Sequence, residues 1–429
     1  MRFVVDCIYL LAAVAISPVV VYRMAKHKRY RVGWAQRFGK IARKNRAKKC
    51  IWLHAVSVGE VNASKTIIKE LQNKFPDFEI VISTTTDTGF ARANTLFGSD
   101  LAVFYFPLDL SWIMQRAFSN IRPAICLLME LEVWPNFAEI AQQSNIPVVV
   151  INGRISDRGF SRYKKIKPLV KNTFLKVSLI LAQTDEYARR FKELGSAYDK
   201  VLVTGSLKYD TAQITDKVDG ADTLAVQLNI KNEKLWVAGG TGDDEEKIII
   251  DVYRQLQRQD RFKGLRLAIV PRKPERFNLV AQQIKQAGFA CLRYSEIKEK
   301  IPAPKTDSGT IILGDTMGDL RKFYCLAAVI FVGRSLVPMG GSDMTEAAAL
   351  GKCTIFGQYA FNFKQSVDAL LASNGAVMVK DQAELLHTME KCLTESDFAR
   401  KIAQNGQDVI RKNQGATKRT IEQIAKLLK

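Results

Sequence analysis

Fourteen short runs of β-branched and other apolar residues, seven in each half and each followed by a helix-length segment, constrain this chain more than any other feature. The first series covers 50–55, 79–83, 101–106, 124–129, 147–152, 178–183 and 201–205; the second covers 235–238, 265–270, 289–294, 310–313, 329–332, 354–356 and 376–379. Strands that are apolar almost throughout, rather than alternately, have both faces covered, and helices between them supply the cover. The expectation is an α/β chain of two doubly wound, Rossmann-like domains facing one another across a cleft. In such sheets ligands bind beyond the carboxyl ends of the strands, so unusual polar residues there are candidates for function.

The 429 residues suit two domains of about 200 residues each. We expect domains over 23–212 and 233–397, a polar linker over 213–232, and a closing segment, 398–429, of helical spacing and basic face that packs back across the domains. Residues 1–22 stand apart. The apolar stretch 3–22 is long enough to cross a bilayer core of about 30 Å. The basic cluster follows it, and no small-residue cleavage site closes it, so the expectation is an uncleaved membrane anchor helix rather than a signal peptide. A helix lying in the interface is the alternative, because Asp6 is costly inside hydrocarbon.

The formal net charge is +21, and residues 23–49 contain Lys and Arg but no acid. Beside an anchor, that run suits anionic lipid head groups on the cytoplasmic side, which would leave the remaining residues cytoplasmic at the inner membrane. Seven cysteines without C-x-x-C spacing read as reduced, mostly buried thiols. With only three histidines, His27, His54 and His387, a multi-histidine metal site is hard to build, and no metal is expected.

Four strand ends carry the chemistry in our reading of the first domain and the start of the second. After the first strand, Ser57-Val58-Gly59-Glu60 makes a tight turn into a helix, placing Glu60 towards the cleft as a general base or, alternatively, as an ordinary helix-start acid favourable to the dipole. After the fourth comes Glu130-Leu131-Glu132-Val133-Trp134-Pro135-Asn136. Side chains alternate along a strand, so one of the two acids faces the cleft; Glu130 is favoured and Glu132 is its rival. After the seventh, Lys208 offers a mobile cation to a phosphate or carboxylate. In the second domain Pro271 fixes a turn and Arg272 is placed to bind an oxygen acid with paired donors.

Two further turns of the second domain leave backbone amides at helix starts. One is Asp315-Thr316-Met317-Gly318-Asp319. The other lies in 331–351, where Gly340 and Gly341 remove Cβ atoms, Ser342 or Asp343 can cap the helix, and Glu346 sits one turn inside it. Both suit a phosphate or nucleotide.

Together these segments, with Asn152-Gly153-Arg154-Ile155-Ser156 and Pro271-Arg272-Lys273-Pro274-Glu275-Arg276, resemble the Kdo transferases, membrane-associated glycosyltransferases that attach 3-deoxy-D-manno-octulosonic acid (Kdo) to the lipid A precursor. The resemblance runs over most of the chain. It implies a two-domain GT-B fold, CMP-Kdo as the donor, no cofactor, and lipid IV(A) as the acceptor, met by the first domain. It further implies that Glu60 accepts the proton and that Glu130 and Lys208 stabilise the transition state. Pro271, Arg272, Met317, Gly318, Asp319, Asp343, Met344, Thr345 and Glu346 then match the CMP-binding segments. The chain departs from the family where Ser342-Asp343 replaces a His-Asn pair and where Gly333-Arg334 replaces a double glycine; both departures touch the donor loop.

Two other readings compete. A GT-B enzyme could use another nucleotide sugar, such as a UDP-hexose. A membrane-tethered nucleic-acid-binding protein could use the basic run, although 23–49 interleaves only Tyr30, Trp34 and Phe38 for base stacking.

Overall fold

The structure is a computed structural model that describes residues 2–27, 32–298 and 309–428, without the side chains at 2–4, 20, 21, 23, 25 and 27. Some side chains of the apolar stretch 3–22, and residues 28–31 of the basic run 23–49, therefore lie outside what the structure describes. The chain forms two compact units, 1–211 with 414–429, and 212–413.

In the first unit the strands are β1 (Lys49–His54), β2 (Phe78–Thr84), β3 (Ala102–Tyr105), β4 (Pro123–Met129), β5 (Val148–Gly153), β6 (Leu179–Ala182) and β7 (Val201–Val203). They form one parallel sheet in the order β3-β2-β1-β4-β5-β6-β7. In the second unit they are β8 (Leu235–Thr241), β9 (Arg266–Pro271), β10 (Ala290–Arg293), β11 (Thr310–Leu313), β12 (Val329–Val332), β13 (Cys353–Gly357) and β14 (Val377–Val379). Their order is β10-β11-β9-β8-β12-β13-β14, again parallel. Every expected run is a strand.

Strand β1 shows why. Its alternate residues feed separate cores on the two sheet faces, Ile51 and Leu53 on one and Cys50 and Trp52 on the other. Trp52 is 1% exposed, has Phe118 and Phe137 edge-on at 5.4 and 5.1 Å, and donates its indole N–H to Ser83 Oγ at 2.9 Å. A strand so covered has no polar face to spare, hence the unbroken apolar spelling.

The polar stretch 213–232 belongs to the second unit, where helix Ala221–Gln227 buries Ala221 and Leu224 and packs on helix Leu320–Leu326. The closing segment divides. Helix Ser396–Asn413 belongs to the second unit, whereas helix Ala416–Leu427 joins the core of the first through Ala416, Ile421 and Ile424.

At the N-terminus, helix Arg2–His27 packs on helices Ser111–Ile121 and Pro135–Gln143. Asp6 accepts from Ser111 N at 2.9 Å, from the Ser111 hydroxyl and from Asn136 Nδ2 at 2.9 Å. It thus caps a helix of the folded unit, which resolves the cost of an acid in an apolar stretch. Among the described residues no helix is long and apolar enough to cross a membrane. The spanning anchor expected over 1–22 is therefore unsupported; what the structure shows is a docked helix with Leu11 and Val14 each 72% exposed.

Several residues of the basic run are used within the first unit. Arg43 Nε pairs with Glu79 at 2.8 Å and its Nη1 donates to Ile121 O at 3.0 Å. Lys44 Nζ bonds the carbonyls of Gly98 and Ser99 at 2.8 Å each. The Arg37 guanidinium lies 4.3 Å from the Tyr105 ring centre. These contacts give the run a fold-forming role beside any ligand.

Candidate active site

In the first sheet the strand order reverses between β1 and β4, and in the second between β8 and β12. At such a switch point the loops on either side diverge and leave a crevice at the carboxyl edge, where open α/β sheets bind ligands. Glu60 follows β1 and Glu130 follows β4, so the topology brings them to one switch point.

The turn after β1 builds its own support. Ser57 caps helix Val58–Lys74, accepting from Glu60 N at 3.4 Å. The Glu60 carboxylate turns back, accepting from Val56 N at 2.9 Å and from Ser57 Oγ at 2.9 Å. This is close to a reciprocal capping box, so the carboxylate meets the helix-start reading and folds onto the turn rather than projecting freely. Burial raises its pKa to about 7, helped by Glu130 and Glu132 and opposed by the Val56 amide and Ser57 hydroxyl. A base near neutrality is well matched to taking a proton from a hydroxyl.

Glu130 adopts φ 56°, the left-handed region that side chains rarely occupy, while its amide still continues the ladder to Ile151 O at 3.0 Å. That turn takes Glu130 out of the extended conformation on which the alternation reading rested. Glu130 and Glu132 both act electrostatically on Glu60, Glu130 more strongly. Glu132 accepts from Trp134 Nε1 at 3.1 Å, and burial pushes its carboxyl up.

Lys208 follows the edge strand β7, away from the switch point along the sheet, but its chain folds back. Gly205 turns with φ 92°, Leu207 N donates to Asn152 Oδ1 at 3.1 Å, and helix Leu207–Thr211 packs on helix Val58–Lys74. Lys208 is therefore carried on an element that touches the helix bearing Glu60.

In the second unit, the loop after β8 went unread in the sequence. Gly240 (φ 68°) and Thr241 end β8, and Gly242, Asp243 and Asp244 (φ 64°) lead into helix Glu245–Gln257. Glu245 is fully buried and accepts from the amides of Arg334, Ser335 and Leu336 at 2.5, 2.9 and 3.0 Å. Glu246, also fully buried, accepts from Thr241 Oγ1 at 3.0 Å and pairs with Arg276 at 2.9 Å; burial nevertheless raises it to about 7. The run Gly239-Gly240-Thr241-Gly242 at the end of a strand, followed by acids, was the signal available.

The glycine turn after β12 has left-handed φ at Gly340 (90°) and Gly341 (83°). A Cβ on Gly340 would stand 2.0 Å from Asn362 Nδ2, and one on Gly341 3.0 Å from Ala360 Cα. These glycines are therefore required by packing against 360–362, where the sequence suggested room for a ligand. Neither Ser342 nor Asp343 is the helix N-cap, which is Met344 without a side-chain cap: Ser342 Oγ donates to Gly240 O at 2.8 Å, and Asp343 Oδ1 accepts from Thr345 N at 2.9 Å and from Thr345 Oγ1 at 2.6 Å. Met344 and Thr345 are buried, 0% and 1% exposed, so their side chains serve the fold; Asp343 is half-buried and Glu346 exposed. Although Glu346 is open by area, surrounding protein and Asp343 push its carboxyl up, with Arg321 and Arg272 opposing. Its exposed area governs access by a ligand.

Pro271 ends β9, and Arg272 follows with its amide bonded to Thr241 O at 3.0 Å and its side chain exposed. Arg272, Asp343 and Glu346 all act electrostatically on Tyr324, so the structure brings the β9 and β12 segments together. The β11 segment differs. Met317 is 68% exposed and Gly318 has φ 91°, but Asp319 is 4% exposed and bonded to Lys298 and Lys322 at 2.8 Å each and to Thr316 Oγ1 at 2.7 Å. Burial opposes its charge, yet those bonds hold its pKa down to about 2, so its carboxylate is committed to the protein. Among the described residues no group of three or more His, Cys, Asp or Glu is arranged to hold a metal ion.

Solved structures share this two-sheet architecture. A glycosyltransferase from Rickettsia africae is 14% identical with TM-score 0.58, covering 89% of this chain and 99% of that one. A UDP-GlcNAc 2-epimerase from Neisseria meningitidis is 15% identical with TM-score 0.57, covering 88% and 100%. The fold is thus that of the GT-B class, two Rossmann-like units each with a switch point. Sequence comparison narrows the class. Residues 32–211 match the family model of 3-deoxy-D-manno-octulosonic-acid transferase (kdotransferase). The 3-deoxy-D-manno-octulosonic acid transferase of Haemophilus influenzae is 33% identical over 98% of this chain and 97% of that protein; that of Bordetella pertussis is 28% identical over 97% and 98%. The chain belongs to the Kdo transferase family and is a glycosyltransferase.

Proposed function

We propose that this enzyme moves Kdo from CMP-Kdo to lipid IV(A), with inversion by direct displacement and Glu60 as the general base. The observation that carries the reading is the Glu60 carboxylate itself: held by two hydrogen bonds at the first unit's switch point and poised near neutrality. In this mechanism Glu60 takes the proton from an acceptor sugar hydroxyl as its oxygen attacks the anomeric carbon of Kdo, and the bond to CMP breaks. Glu130 offers negative charge to an anomeric centre that becomes electron-poor, and Lys208 offers positive charge to the departing phosphate or the sugar carboxylate. Arg272 presents paired donors to the phosphate, and Glu346 accepts from ribose hydroxyls. Met317, Gly318, Asp319, Asp343, Met344 and Thr345 shape the CMP site through their backbone and loop positions. The reading calls for no metal or cofactor, because cationic side chains balance the leaving-group charge.

The acceptor reading gains support from the exposed apolar surface of the first unit. Helix Arg2–His27 exposes Ile8, Leu11 and Val14, and nearby Trp112, 51% exposed, stacks on Phe38 with ring centres 6.2 Å apart. Apolar helix faces and amphipathic aromatics both favour the interface of a bilayer. We therefore place the enzyme on the cytoplasmic face of the inner membrane, against anionic lipid, where a lipid acceptor resides. Release of CMP that requires both CMP-Kdo and lipid IV(A) tests the proposal. Release with a UDP-hexose instead, and none with CMP-Kdo, would sink it.

A further inference from the structure

Arg334 opens the turn after β12 with φ 61°, a conformation that costs an arginine free energy and a glycine almost none. Strain of this kind persists only where the surroundings over-determine it, and here they do. The Glu245 carboxylate holds the amides of Arg334, Ser335 and Leu336, while Arg334 O accepts from Gly341 N at 2.8 Å. The side chain is directed as firmly as the backbone. A Cβ on Gly242 would stand 2.9 Å from Arg334 Cγ and 2.6 Å from Met339 Sδ, so the arginine stem crosses the β8 loop over a residue that must lack a side chain.

Among the described residues the guanidinium has one hydrogen bond, Nη2 to Met339 O at 3.2 Å, and its Nε is buried with no partner. A guanidinium desolvated on one edge with most donors unused is a poor structural element. It is a good oxyanion receptor, because the planar fork matches two oxygens at once. Its place between the β8 and β12 loops is the switch point of the second unit, where ligands of such sheets sit.

We propose that Arg334 is a donor-binding residue that grips an oxyanion of the nucleotide sugar. This rests on the donor reading above. Two oxyanions of that donor share the required chemistry, the nucleotide phosphate and the carboxylate of the ulosonic sugar.

The test uses the full chain and the variants Arg334→Gly, which relieves the backbone, and Arg334→Asn, whose side chain tolerates the same φ. Calorimetric titration with CMP and with cytidine is paired with KM for CMP-Kdo. The loss of a paired charged contact is expected to weaken binding about 10- to 100-fold in both variants, with the thermal midpoint within a few degrees of wild type. If CMP weakens while cytidine does not, the oxyanion is the phosphate. If CMP is unchanged and KM for CMP-Kdo rises by that factor with kcat retained, it is the sugar carboxylate. Folded variants in which CMP affinity and KM both stay within about twofold of wild type would overturn the inference alone. Wild-type protein that binds no CMP would overturn the donor reading and this inference with it.

Discussion

Glu60→Gln separates chemistry from folding more cleanly than any other substitution. The amide is isosteric: its oxygen can still accept from Val56 N and its nitrogen can donate to Ser57 Oγ, so the turn is retained. What is lost is the base, a contribution of about 10²- to 10⁴-fold in kcat. The linkage to stability runs the other way. Because the folded carboxyl titrates near 7 rather than at its ordinary 4.5, its proton stabilises the fold below about pH 4.5, and that stabilisation is lost as the pH rises to about 7. The upper bound on the loss is on the order of 3 kcal/mol, reduced by the partial exposure of the side chain. Glutamine cannot ionise and escapes the loss. The variant is therefore expected to melt at or above the wild-type midpoint at pH 8 while turning over at least about 100-fold more slowly. Wild-type kcat/KM should climb with pH to a limb near 7, and the variant should lack that limb. A folded Glu60→Gln enzyme with turnover within a few-fold of wild type, or with the same acid limb, would refute the assignment.

Three further outcomes follow from the second unit. Arg272→Ala should weaken CMP binding about 10- to 100-fold by titration calorimetry, since its side chain is exposed beside Asp343 and Glu346; unchanged affinity would count against its phosphate role. Gly340→Ala combines a left-handed φ of 90° with a Cβ 2.0 Å from Asn362 Nδ2, so a loss of about 1–3 kcal/mol is expected by denaturant unfolding, relieved only in part by adding Asn362→Ala. Glu245→Ala strips three amides of their acceptor and should cost about 3 kcal/mol or more, with a wild-type melting curve as the contrary result.

Much of this architecture was legible because parallel sheets covered on both faces spell themselves as apolar runs; Ile51 and Trp52 on β1 face different cores yet are both apolar. Glu60, Glu130 and Arg272 were visible for a related reason, as polar residues placed where a strand stops. Other features depend on contacts between distant segments. Nothing near Glu245 announces that its acceptors are needed by amides about ninety residues later, at 334–336. Asp6 reads as an intruder in an apolar stretch until Ser111 and Asn136 are seen to donate to it. Gly340 and Gly341 suggested room for a ligand, whereas the close neighbour is the chain's own 360–362 segment. A glycine pair shows that something approaches closely, but not whether it is substrate or protein.

The central claim is the transfer of Kdo to a lipid acceptor with Glu60 as the base. Mass spectrometry of the lipid recovered after incubating the purified full chain with CMP-Kdo and lipid IV(A) tests it most directly. The account predicts lipid IV(A) heavier by one or more whole Kdo residues with wild-type enzyme and unmodified lipid with Glu60→Gln. Unmodified lipid from active, folded wild-type protein, or a full yield of product from the variant, would contradict it.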